Sequence, residues 1–252
     1  MRTISARAWK AYIDRLSALN KAAANDMITY IRKFGYMNID ALIDYAYGVA
    51  TKYGEGAAAL SAQMYDAVAE LSGQVFDPAI PAATPSYHQV AKTVQGVAKQ
   101  SQNENMMANA IGRLVKQTGA DTTLKNALRD GAEFAWIPAG DTCAFCITLA
   151  SRGWQRASKA AIKGGHAEHI HANCDCTYAI RFDNSTNVAG YDPDKYREMY
   201  DDADPGGSPK DKINAMRREF YAENKEEINE QKRSAYEKRQ ELNSSAAEEI
   251  DV

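Results

Sequence analysis

Residues 176–182, CTYAIRF, alternate as a half-buried β-strand does. Cys176, Tyr178, Ile180 and Phe182 fall on one side of an extended chain, and Thr177, Ala179 and Arg181 on the other. A second strand is expected at residues 133–138, EFAWIP, which is short, aromatic and closed by Pro138, with the turn-like AGD behind it. These two runs set a small strand-containing module into a chain that elsewhere reads as helix. The expected class is therefore α+β, mostly α.

Working outward, Trp9, Ile13, Leu16, Ala23, Met27, Ile31 and Phe34 recur at three- and four-residue steps and predict one helix ending near Gly35. A second helical pattern runs through Leu42, Tyr45, Val49 and Tyr53. After GEG, a third carries Leu60, Met64, Val68 and Leu71. Pro78, Pro81 and Pro85 leave no room for helix in FDPAIPAATPS, which reads as an extended connector. Helix returns with Val90, Val94 and Val97, then with Met107, Ile111 and Leu114, and a separate short piece follows around Leu124 and Leu128. Past the module, Ser208 is an N-cap candidate, with Pro209 at the first helical position and Asp211 near the positive end of the helix dipole. The sparse apolar line beyond it, Ile213, Met216, Phe220, Ile228 and Tyr236, reads as a solvated face or as one that docks on another chain. The expected division is a helical region over 1–75, a Pro-rich connector over 76–86, a helical region over 87–132, an α+β Cys/His module over 133–200, and a charged C-terminal helix or tail over 201–252.

Of the 252 residues, 45% are hydrophobic and 25% charged, which describes a folded chain rather than a disordered one. A net charge of -3 with no domain-sized basic patch argues against a dedicated DNA-binding surface and leaves a local, weak contact open. The stretch MRTISARAWKAYIDRL lacks the apolar core of a signal peptide, and no apolar run is long enough to span a bilayer. Synthesis in a reducing cytoplasm is expected, where cysteines serve as thiols or metal ligands more often than as disulfides.

The chain's four cysteines and three of its four histidines gather between the two strands. Cys143 and Cys146 form C-x-x-C, and His171, Cys174 and Cys176 form H-x-x-C-x-C. If Cys176 opens the strand, Cys174 and Cys176 project to the same side. Two close pairs separated by a loop are the usual arrangement around structural Zn2+, which takes four Cys or His ligands tetrahedrally. Five candidates compete for four positions: the four thiolates, or three of them with His171. Such an ion contributes on the order of ten kcal/mol of apparent binding free energy, which would staple two short strands and the loop between them. The competing reading is four buried, unliganded cysteines acting as small hydrophobes. A redox C-x-x-C lacks the surrounding βαβ pattern.

An enzyme reading exists in HAE, His166 to Glu168, which matches the H-x-E element of zinc deaminases, where the glutamate shuttles protons. The order is reversed, however: here C-x-x-C precedes the tripeptide, lacks its proline, and the later pair is C-x-C. His166 and His169 then read as ordinary loop histidines. Phosphate-loop, nucleophile-elbow and H-E-x-x-H motifs are absent from the sequence. No enzymatic activity is expected. A host zinc-ribbon-like interaction module is the third alternative.

GDTCAFCITLASRGW (140–154) followed by HIHANCDCTYAIRF (169–182) resembles the C-terminal domain of phage Mu F-like minor head proteins. The lead-in TLKNALRDGAEFAWIPAGDTCAFC resembles minor capsid proteins of tailed phages or prophages from Gram-positive hosts. The matching positions are Cys143, Cys146, His171, Cys174 and Cys176, and the likeness runs from about Leu124 to Phe182. The family's second pair follows HPN, whereas this chain has HAN, which leaves that turn less rigid. Some relatives carry toxin domains after this region; here a single charged helix follows, so no fused effector is expected. The resemblance implies assembly rather than turnover: a role in head morphogenesis, a location inside the capsid or at the portal vertex of the virion, and portal or major capsid protein as partners.

Overall fold

The structure, a computed structural model, describes residues 2–139, 142–164, 175–184, 186–230, 232–234 and 236–237. The first apolar stripe is helix α1 (Ala6–Phe34). It begins at Ser5, whose hydroxyl accepts the Ala8 N–H at 3.1 Å, and stops at Gly35, where φ is 64°. A positive φ suits glycine because it has no Cβ to clash.

The two helices expected on either side of GEG are a single one, α2 (Ile39–Ser72). Gly54 and Gly56 lie inside it. A Cβ at Gly56 would stand 3.1 Å from Leu19 Cδ1, and one at Gly54 would stand 3.2 Å from Thr84 Cγ2. Each glycine costs a helix about 1 kcal/mol relative to alanine. The close approach of α1 and of the connector offsets that cost.

Helix α3 (Tyr87–Gln100) follows the connector, and α4 (Glu104–Asp130) absorbs the separate piece expected around Leu124 and Leu128. Helix α4 is central: it packs on α1, α2, α3 and the sheet. It is therefore buried almost all round and shows no clean apolar stripe. Thr118, Thr122, Thr123 and Asn126 are buried polar residues on it. Thr122 and Asn126 hold the connector. Thr122 Oγ1 accepts the Ala82 N–H at 2.9 Å, and Arg129 donates to the carbonyls of Asp77 and Pro78 at 2.8 and 3.1 Å. A strand-like segment without strand partners thus has its backbone satisfied by side chains.

Strand β1 (Arg2–Ile4) precedes α1; after α4 come β2 (Glu133–Ile137), helix α5 (Ala144–Ala150), β3 (Gln155–Arg156), α6 (Lys159–Gly164), β4 (Thr177–Arg181) and β5 (Thr186–Val188). Strands β3, β2 and β4 form an antiparallel sheet in that order, with Trp136 opposite Tyr178 and Ile137 opposite Thr177. Strand β5 pairs in parallel with β1, Ile4 facing Val188. Strand β4 is more than half-buried: Tyr178, Ala179 and Ile180 are each 3% exposed, so both of its faces are covered.

Two apolar clusters account for most of the core. Met27, Leu42, Val90, Val94, Met107 and Ile111 fill the centre of the four long helices. A second joins Trp9, Tyr12, Tyr65 and Leu124 of those helices to Phe134, Trp136, Tyr178 and Ile180 of the sheet. The strands therefore do not rely on a small core of their own.

Helix α7 (Pro193–Asp202) and helix α8 (Pro209–Glu223) follow, and residues 225–230 are helical again beyond a turn at Asn224. Ser208 and Asp211 form a reciprocal capping box on α8, with Pro209 in its first turn. The charged helix is not wholly solvated: Met216 is buried against Ala144 and Ile147 of α5. Phe220 and Tyr236, further along the same line, are exposed.

Candidate functional site

The candidate site sits where β2 leaves the sheet and β4 enters it. Cys176 directly precedes β4. Its Sγ accepts the backbone N–H of Ala139, two residues past β2, at 3.3 Å. Four residues beyond Ala139, Cys143 is the N-cap of α5, in extended conformation (φ -74°, ψ 159°), and its carbonyl accepts the Ile147 N–H at 3.0 Å. Cys146 lies in the first turn of α5, three residues on, which puts both cysteines of C-x-x-C on one flank of the helix. Cys146 is fully buried, Cys176 is 5% exposed, and Cys143 is partly buried against the same apolar cluster.

Neighbouring aromatic residues tie these positions together. Tyr178 shares a face of β4 with Cys176, and burial pushes its hydroxyl well above the ordinary range; Arg152 lowers it, while Asp121 and Cys146 add to the rise. On α7, Tyr196 is likewise raised, by burial first and then by Cys176 and Asp192. C-x-x-C and the entry to β4 are thus brought to one end of the sheet, beneath α5 and α7.

Of the five candidate ligands, Cys143, Cys146 and Cys176 are described, while His171 and Cys174 lie outside the described residues, as do His166, Glu168 and His169. Among the described residues, no group of three or more His, Cys, Asp or Glu side chains is placed to hold a metal ion. A closed zinc centre here would take its remaining donors from residues 165–174. The donor types are those of a sulfur-rich site, and the Cys176 sulfur is already an acceptor for a backbone N–H, the outer contact that supports a metal thiolate.

Sequence reasoning missed the contribution of Ala139, because a backbone N–H leaves no trace in residue type. It also missed Trp136 and Tyr196. Trp136 was legible only as a strand aromatic, and α7, which carries Tyr196, was not anticipated.

A family model described as VG15 protein matches residues 3–203. The chain belongs to the VG15 protein family. VG15 proteins are a phage family, so the viral origin expected from the cysteine motif stands at that level. The matched span takes in β1 through α7 and the whole candidate site, while α8 falls beyond it. No curated protein and no solved structure matches this VG15 protein. Among its described residues, no helix is long and apolar enough to cross a membrane.

Proposed function

We propose that this VG15 protein is a minor head protein of a tailed phage, non-enzymatic, acting in head morphogenesis at the portal vertex with portal or major capsid protein as partner. The observation that carries the reading is the match of the phage family across residues 3–203, together with the C-x-x-C and H-x-x-C-x-C pattern of Mu F-like minor head proteins inside that span. The architecture supports it. Helices α1, α2 and α4 share a core with the sheet, and α8 carries Phe220 and Tyr221 on its exposed side, where a helical partner could lie.

Within that body the Cys/His cluster is proposed as a structural Zn2+ site. Cys143, Cys146 and Cys176 would hold the ion together with Cys174, or with His171 in place of one thiolate. When bound, the ion supplies a closed cross-link between α5 and β4, not a reactive centre. The sheet core already extends into the helices, so its task is local: fixing the turn after β2 and the loop that returns to β4.

The deciding experiment is composition analysis of purified procapsids and virions from the encoding phage. Recovery of the protein in low copy with portal supports the reading. Its absence from both particles, or an activity lost on Glu168→Gln with the fold intact, would overturn it.

A further inference from the structure

We propose that the outer face of α8 is a docking surface for an acidic amphipathic helix of another head protein, with Arg217 and Arg218 receiving its carboxylates; this deepens the partner reading above and rests on it. Lys210, Asn214, Arg217, Arg218 and Tyr221 recur at three- and four-residue steps and so share one side of α8. The last four of them line an open groove. Met216, the buried residue of this helix, points to α5 instead, and Arg218, two residues on, lies across the helix from it. Beyond Met216 the helix stands clear of the body: every residue from Arg217 to Glu223 is exposed.

The two arginines lack the counter-charges that other helical cations of this chain have. Lys10 pairs with Asp14, Lys125 with Asp121 and Arg197 with Asp194, each about one turn away. Three and four residues to either side of Arg217 stand Ile213, Asn214, Phe220 and Tyr221; around Arg218 the same positions hold Asn214, Ala215, Tyr221 and Ala222. None is a carboxylate, and neither guanidinium has an ion pair or hydrogen bond among the described residues. Lys232 adds to the excess, its ammonium 5.7 Å from the centre of the Tyr221 ring.

The missing partner is therefore an anion, and its form follows from the row. Guanidinium groups take carboxylates two-pronged, and arginine with aromatic side chains carries much of the energy of protein interfaces. The exposed ring of Phe220, three residues from Arg217, gives an apolar anchor beside the charges. A helix laid along α8 offers carboxylates at the same three- and four-residue steps, with an apolar stripe for Phe220. Nucleic acid fits less well. Asp211, Glu219 and Glu223 occupy the rest of the same helix, which repels a continuous phosphate backbone but leaves room for discrete carboxylates.

The test is photo-cross-linking in procapsids of the encoding phage, using the full chain with p-benzoylphenylalanine in place of Ala222, which is exposed one turn from Arg218. The expected product joins this chain to a helical segment of another head protein that has Glu or Asp at three- and four-residue steps. Arg217→Glu combined with Arg218→Glu should lower its yield about ten-fold or more, and lysine in place of the facing carboxylates of the captured helix should restore it. Glu219→Gln, across the helix from the row, should leave the yield unchanged. A product with DNA, with a second copy of this chain or with a segment lacking such carboxylates would overturn the inference while the head-protein reading stands. So would no product in particles that contain the protein, or a yield indifferent to both arginines. A protein absent from procapsids and virions would remove both.

Discussion

Asn126 brackets Ile80: its Oδ1 accepts the Ile80 N–H at 2.9 Å, and its Nδ2 donates to the Ile80 carbonyl at 2.9 Å. One buried amide thus does for the connector what a neighbouring strand would do, while also donating to the Thr122 carbonyl of its own helix at 2.7 Å. Asn126→Leu removes all three contacts and leaves a buried backbone segment underbonded. A loss of about 2 kcal/mol is expected, read as a lower urea midpoint. Amide exchange should accelerate at residues 79–82 first.

Met216 is the buried side chain through which α8 packs on α5, beside the partly buried Ile213. Met216→Ala should cost about 2 kcal/mol of local stability. The signature is early proteolytic cleavage near residues 203–208, with the core's melting temperature little changed. Simultaneous melting of core and helix would show instead that α8 is part of the main cooperative unit.

Alkaline pH should destabilise the protein through its buried tyrosines. Burial raises Tyr12 above its ordinary value of 10.0, although hydrogen bonds from Ser61, Thr177 and Thr123 pull the other way. Tyr65 is raised further by burial and by its bond to Asp130. The unfolded chain releases these protons first. The stability they provide is therefore complete below pH 10 and declines as pH rises towards the folded-state values, by about 1.4 kcal/mol per pH unit for each such group. Tyr12→Phe should flatten that decline in a pH series of urea titrations, at a cost near 1 kcal/mol at neutral pH from the lost Ser61 bond.

Metal removal tests the zinc proposal directly. Protein purified without chelator should carry about one zinc per chain, and Cys143→Ser or Cys176→Ser should lower that content. Chelation should reduce the melting temperature by roughly 10 °C. Unchanged zinc content on either substitution would remove that cysteine from the ligand set.

How much was legible beforehand varies with how far each element answers to a single environment. Helix α1 has one buried stripe, a serine start and a glycine stop, and it reads directly. Helix α4 touches neighbours on all sides and spends Thr122, Asn126 and Arg129 on the connector, so its period is blurred and it was read as two pieces. Gly54 and Gly56 looked like a break because their value lies in what approaches them, Thr84 and Leu19. Strands β1, β3 and β5 have two or three residues each and owe their conformation to distant partners. At the candidate site, the motif marked Cys143, Cys146 and Cys176, but only the fold joins Cys176 to Ala139.

The parallel pairing of Arg2–Ile4 with Thr186–Val188 also bears on how the chain is made. Strand β1 has no partner until β5, far later in the chain, has been synthesised, so Ile4 and Trp9 must wait beside a half-built body. Long-range closure of this kind is slow and leaves apolar surface uncovered in the meantime. Completion of this pairing is thereby tied to the synthesis of β5, and a chain truncated before β5 would carry an unmated strand that quality-control proteases can grip.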